Sequence, residues 1–192
     1  MWRLILKKYL VDYSFLFSIA GIVLLLDQGT KSLVRANVPI GVVLMPGCWL
    51  SRYVRIIHWK NSGAALGMFQ NNGNFFAIFP IVIGLFILYY FPRVPRENWM
   101  ARLAMGFLLG GAMGNLVDRL ILGHVTDFIS VGALPVGNIA DGSIILGTTL
   151  IILWIWMQER LKTHSIDAQL GEDSNQQREM NSRTLSKEIK GE

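Results

Sequence analysis

Residues 75–91 read FFAIFPIVIGLFILYYF without one charged side chain, and this constrains the chain more than any other stretch. With its flanks the run is long enough to cross a hydrocarbon core of about 30 Å. The other apolar residues also gather in runs rather than in periodic stripes, which points to a multi-span membrane protein. The composition agrees. Only 16% of the 192 residues are charged, against roughly 25% in a typical soluble domain. A net charge of +5 would suit nucleic acid, but the basic residues flank apolar runs, where membrane topology accounts for them. No nucleic-acid partner is expected. The single cysteine, Cys48, excludes a disulfide within the chain and has no neighbouring ligand to suggest a metal site.

Four membrane-spanning helices are expected, at about 13–34, 75–91, 99–122 and 139–157. Arg3, Lys7 and Lys8 precede the first apolar run, and no small-residue cleavage pattern follows it, so it reads as a span and not a signal peptide. Residues 38–60 differ in texture: Pro39, Gly41, Pro46 and Gly47 break helices, then WLSRYVRIIHW is rich in β-branched and aromatic residues. A small β-element outside the bilayer is expected there. Residues 61–73 form a Gly- and Asn-rich loop. In the span at 99–122, Gly106, Gly110 and Gly114 recur every fourth residue, a face on which helices can approach closely. The fold class is thus an all-α membrane protein, four transmembrane helices with a small extracytoplasmic β-element. The domain is expected over 1–160, with a polar, disordered cytoplasmic tail over 161–192. Lys and Arg number 12 on the side of the two termini and 6 on the other, which places both termini in the cytoplasm.

Between two apolar runs, residues 110–141 hold three acids, Asp118, Asp127 and Asp141. Acids at the margin of a hydrocarbon region are costly unless partnered. Asp27 and Lys31, four apart, share a helix face, and Asn115, Asp118 and Arg119 share another. Asn61 opens the Gly-rich loop, and Asn138 and Asp141 open the last span. Each group also has a structural explanation. Asp27–Lys31 would anchor a helix end, Asn115, Asp118 and Arg119 would clamp neighbouring spans, and Asp141 would complement a helix dipole. Asp127 alone would be an exposed loop acid. Together they suggest more. Asp127 and Asp141 flank a connection of 13 residues between adjacent helices. Two nearby carboxylates share a proton, giving an acid and a base in one site. Such a pair can activate water and protonate a leaving nitrogen with neither metal nor cofactor. His58 and His124 lack metal-ligand spacing, and no nucleophile elbow or phosphate loop appears. The rival from another class is a small ion or proton transporter using the same carboxylates. A non-catalytic scaffold is the third option.

These residues resemble lipoprotein signal peptidase, or signal peptidase II, of bacterial inner membranes. The similarity rests on five segments in order. They are Asp27-Gln28-Gly29-Thr30-Lys31; Asn61-Ser62-Gly63-Ala64-Ala65; Gly110-Gly111-Ala112-Met113-Gly114-Asn115-Leu116-Val117-Asp118-Arg119; Val125-Thr126-Asp127-Phe128; and Asn138-Ile139-Ala140-Asp141. Singly each is weak; in series they are specific. The resemblance implies an aspartic endopeptidase of the inner membrane, acting near its outer face. Its substrate would be a diacylglyceryl-modified prolipoprotein, cut just before the modified cysteine. Asp127 and Asp141 would be the catalytic pair. Asp27, Lys31, Asn61, Gly63, Asn115, Asp118, Arg119, Asn138 and Ala140 would bind substrate or brace the site. Membrane lipids are the other expected partners, and a monomer is expected. Three departures stand out: Leu66 where the family usually has an aromatic, Gly137 where it usually has Phe, and a shorter connection between Asp127 and Asp141. All touch the walls of the site and bear on substrate preference.

Overall fold

The computed structural model describes residues 2–44, 53–62 and 77–163. Cys48, Gly63, Leu66, most of the Gly-rich loop and the tail beyond Thr163 lie outside the described residues. The chain forms two compact units, Met1–Ile151 and Ile152–Glu192, and all that follows concerns the first. Its elements are helix α1 (Trp2–Asn37), strands β1 (Val43–Leu44) and β2 (Val54–Asn61), helix α2 (Ile78–Tyr90), helix α3 (Trp99–Leu122) and strand β3 (Val125–Val131). Helix α4 begins at Ile139 and ends at Thr163, in the second unit.

Among the described residues, three helices are long and apolar enough to cross a membrane: Tyr9–Asn37, Trp99–Leu122 and Ile139–Thr163. The fourth expected span appears as a shorter apolar helix, Ile78–Arg93. It has 13 α-helical residues and a three-residue 3₁₀ turn in which Pro92 occupies an early position. The first and last helices run beyond the expected 13–34 and 139–157, because flanking polar residues continue the hydrogen-bond ladder once a helix is nucleated, whereas α3 keeps the expected bounds 99–122.

The helices are inside out relative to a soluble bundle. On α1, Asp27 and Lys31 are fully buried while Leu25, Leu26 and Leu33 are exposed. Helix α3 sits at the centre, and its small residues explain why. A β-carbon at Gly106 would lie 2.7 Å from Ile19, one at Gly110 would lie 2.7 Å from Val23 and 2.8 Å from the Ala20 carbonyl, and one at Gly114 would lie 2.5 Å from Asp27 Oδ2. The stripe at intervals of four is therefore pressed against α1. Gly111 turns the other way, where a β-carbon would lie 2.5 Å from the Ala140 carbonyl of α4. Leu16, Ala20, Ile87, Phe91, Met105 and Leu109 fill the space among α1, α2 and α3.

At the end away from the β-element, Asp12 of α1 is buried between Arg102 (2.8 Å) and Arg96 (2.9 Å). Arg102 also donates to the Val94 carbonyl, and its guanidinium lies 4.2 Å from the Phe91 ring centre. Two of the arginines that set the expected orientation thus double as a clamp on the 92–98 turn.

The β-element is an antiparallel sheet in the order β1-β2-β3. The expectation of strands over 38–60 accounts for β1 and β2. Strand β3, which carries Asp127, stands where the sequence leads to a loop acid. In VTDFISV the hydroxyls Thr126 and Ser130 keep the alternation, but Asp127 falls in its apolar register and Phe128 in its polar one, so the period-two signal is weak there. Gly123, at φ 74°, ends α3, its N–H donating to the Arg119 carbonyl at 3.0 Å. That left-handed turn needs glycine and points the chain straight into β3. After β3 the chain doubles back, and Gly137 exchanges backbone hydrogen bonds with Ile129 at 2.8 and 2.9 Å. The 13-residue connection is therefore a strand and a return.

Replacing Gly110 by Leu is expected to force α1 from α3, since backbone at Ala20 cannot move aside as a side chain can. The cost should be at least about 1–3 kcal/mol, the usual range for overpacking. Thermal unfolding in detergent checks this, with Gly29→Ala as control, because nothing lies within 4 Å of a β-carbon there.

Candidate active site

Asp127 and Asp141 arrive from different kinds of element. Asp127 lies in β3, paired with Trp59 of β2, while Asn61 pairs with Val125. Asn61 is thus the diagonal neighbour of Asp127 on one face of the ladder, within reach of a side-chain contact. Its Nδ2 donates to Asp127 Oδ2 at 2.9 Å. Asp141 lies in the first turn of α4, where Asn138 caps the helix. Asn138 Oδ1 accepts the Asp141 N–H at 2.9 Å, and Asp141 Oδ2 accepts the Asn138 N–H at 3.2 Å. This is a reciprocal capping box, with Asn and Asp in place of the commoner Ser and Glu.

Two asparagines join the acids. Asn138 Nδ2 donates to Asp127 Oδ1 at 2.7 Å and to Asn115 Oδ1 at 3.1 Å. Asn115 Nδ2 donates to Asp141 Oδ1 at 2.7 Å. The two carboxyl groups are therefore bound to opposite ends of one amide pair. Asp127 is 1% exposed, and burial pushes its carboxyl up to about 6. The donated bond from Asn61 opposes the rise and the charge of Asp141 adds to it; Asn138 and the Lys31 charge oppose it more weakly.

Beneath the asparagines lies a buried charge cluster. Lys31 Nζ is 2.8 Å from Asp27 Oδ2 and 3.2 Å from Asp118 Oδ2, and donates to Asn115 Oδ1 at 3.0 Å. Asp27 Oδ1 accepts the backbone N–H of Ala140 and Asp118 Oδ2 that of Thr126, each at 2.9 Å. Arg119 Nη1 donates to the Asn115 carbonyl at 3.3 Å. It lies within the fields of both Asp127 and Asp141 but forms no ion pair with either. An apolar cavity of about 390 Å³ lies among α1, α2 and α3. Leu24 and Met113 in its wall sit within one helical turn of Asp27 and Asn115.

Every expected site residue among the described ones thus meets in one network; Gly63 lies outside them. The expected face of Asn115, Asp118 and Arg119 divides its contacts: Asn115 reaches Asp141 and Lys31, Asp118 reaches Lys31, and Arg119 turns back to the Asn115 carbonyl. Sequence reasoning missed three supporting groups. Gln28 Nε2 donates to the Gly114 carbonyl (3.0 Å) and to Asp118 Oδ1 (3.2 Å). Arg35 Nη1 donates to Thr126 Oγ1 (3.1 Å) and approaches Asp118 (3.4 Å). Arg35 was legible, standing four residues beyond Lys31 on the face that carries Asp27. Thr126 carried no signal.

Comparisons with known proteins give the family of the chain. The family model described as signal peptidase (SPase) II matches residues 19–157, a span that contains all these groups. The lipoprotein signal peptidase of Halothermothrix orenii is 34% identical over 142 residues, 73% of this chain and 94% of that protein. That of Staphylococcus aureus strain Newman is 34% identical over 151 residues, 77% of this chain and 90% of its own. Two bacterial membrane enzymes solved by the in meso method also superpose. The first gives a TM-score of 0.69 at 31% identity, covering 75% of this chain and 88% of its own. The second gives 0.66 at 32% identity, covering 73% and 91%. The chain belongs to the signal peptidase II family.

Proposed function

We propose that this protein removes signal peptides from prolipoproteins as an aspartic endopeptidase, with Asp127 and Asp141 as its acid–base pair. The substrate is a prolipoprotein carrying diacylglyceryl on a cysteine, and the bond cut is the one before that cysteine. The observation that carries this reading is the joining of both carboxyl groups through Asn138, which donates to Asp127 and caps the helix that bears Asp141.

Environment divides the labour. Asp141 sits in the first turn of a helix and accepts its bonds from a backbone N–H and an amide, which leaves it aimed to take a proton from water. Asp127, raised to about 6 by burial, holds the shared proton. As water attacks the scissile carbonyl carbon, Asp141 takes a proton from it and Asp127 gives its proton to the carbonyl oxygen. Collapse of the tetrahedral intermediate returns that proton to Asp127, and the proton on Asp141 passes to the departing nitrogen. Arg119 faces both acids and donates to a substrate carbonyl. The apolar cavity beside Leu24 and Met113 receives an acyl chain, so that the lipid holds the scissile bond at the level of the acids.

On this reading the protein is a monomer of the bacterial inner membrane with four spans, the shorter helix Ile78–Arg93 being the fourth. Both termini face the cytoplasm and the acid pair lies near the outer surface, where water is at hand. Ion transport has no support from the family, and the carboxylates it would use are held by fixed donors at one end of the bundle.

Purified protein is expected to cut a diacylglyceryl-cysteine peptide and to leave the unlipidated twin intact. Asp127→Asn and Asp141→Asn should each lower kcat by at least about a thousandfold, within the range of a lost acid–base group. Near-normal turnover by either variant would end the assignment. Because the Asp127 carboxyl is raised to about 6, its proton persists to that pH. Turnover per free enzyme, kcat/KM, should therefore fall as pH rises through about 6. An alkaline limb centred near an ordinary carboxyl value of about 4 would place the proton elsewhere.

A further inference from the structure

We infer that Lys31 is a positioning residue for catalysis, its one buried ammonium fixing the separation of Asp127 and Asp141 through three separate arms. The inference rests on the acid-pair reading above. A lysine ammonium has three N–H donors and no acceptor, and each donor of Lys31 has its own partner: Asp27, Asp118 and Asn115. What each partner does next is the substance of the argument. Asp27 accepts the N–H of Ala140, the residue before Asp141, and Asp118 accepts the N–H of Thr126, the residue before Asp127. One cation thus holds the backbone of both acid-bearing elements by the same device.

The third arm sets a side chain. Lys31 can only donate, so the Asn115 oxygen must face it, and the Asn115 nitrogen is left for Asp141 Oδ1 at 2.7 Å. The same Asn115 oxygen accepts Asn138 Nδ2, which also binds Asp127. The orientation of both amides between the acids therefore follows from the ammonium. A plain ion pair anchoring α1 would need only Asp27. The two further arms end beside the reacting groups, on a residue that is fully buried.

Lys31→Met and the charge-balanced double variant Asp27→Asn/Lys31→Met test this, alongside Asp127→Asn, in detergent-purified protein. Melting temperature, kcat, KM and the pH dependence of kcat are measured for each on the diacylglyceryl-cysteine peptide. The expected result for Lys31→Met is a kcat loss of about a hundredfold, the scale of a misplacement near 1 Å, with KM within about threefold. The alkaline limb should also move to higher pH, because the ammonium no longer favours the Asp127 carboxylate, a change that a merely structural role would not produce. The double variant should recover melting temperature without recovering kcat. Lys31→Met with kcat within about threefold of the parent, or a double variant with restored kcat, would overturn the inference. So would failure of both to accumulate as folded protein, which would make Lys31 structural alone. An active Asp127→Asn would instead remove the acid-pair reading; an inactive one beside an unimpaired Lys31→Met would remove only the role of Lys31.

Discussion

An ammonium and two carboxylates withdrawn from water can stay charged only in contact with one another, and the Lys31–Asp27–Asp118 cluster meets that condition among helices. Such burial brings little net stability, since desolvating each ion costs several kcal/mol. Its effect is on uniqueness. Removing one member of a buried pair costs about 3–5 kcal/mol, so alternative packings of α1 on α3 that separate these groups are strongly disfavoured. Register along the two helices is thereby set at the level where the acids are needed.

The cluster forms only because backbones come close. Gly114 leaves room for the Asp27 carboxylate, Gly110 for Val23 and Gly106 for Ile19, while Gly111 admits the Ala140 carbonyl on the opposite side. In lipid the hydrophobic effect gives helices little reason to associate, so close packing and interhelical hydrogen bonds must hold them. Here the two act together: the small residues bring the polar side chains within reach, and the polar contacts make the close approach worthwhile.

The acid pair gains its asymmetry from secondary structure. A strand has no appreciable dipole at its side chains, so Asp127 feels mainly its burial. Asp141 sits where unpaired N–H groups of a helix collect, and its own cap supplies one of them. The same residue type thus stands in two backbone settings, one buried in a strand and one at the start of a helix.

Much of this was legible in the chain itself. Uncharged runs dictated helices, the Gly106/Gly110/Gly114 interval announced a close face, and the i, i+4 spacing of Asp27 and Lys31 placed them together, because these depend on local geometry alone. The five motif segments point to the family without any coordinate. Only the tertiary structure decided the rest. Strand β3 exists because β2, more than 60 residues earlier, offers its edge; nothing within VTDFISV requires it. Asn61 meets Asp127 through a diagonal of that ladder, and Asn138 and Asn115 bridge the acids across two helices. Hydrogen bonds between distant segments leave no period in a sequence, and they determine which oxygen of which acid faces which donor.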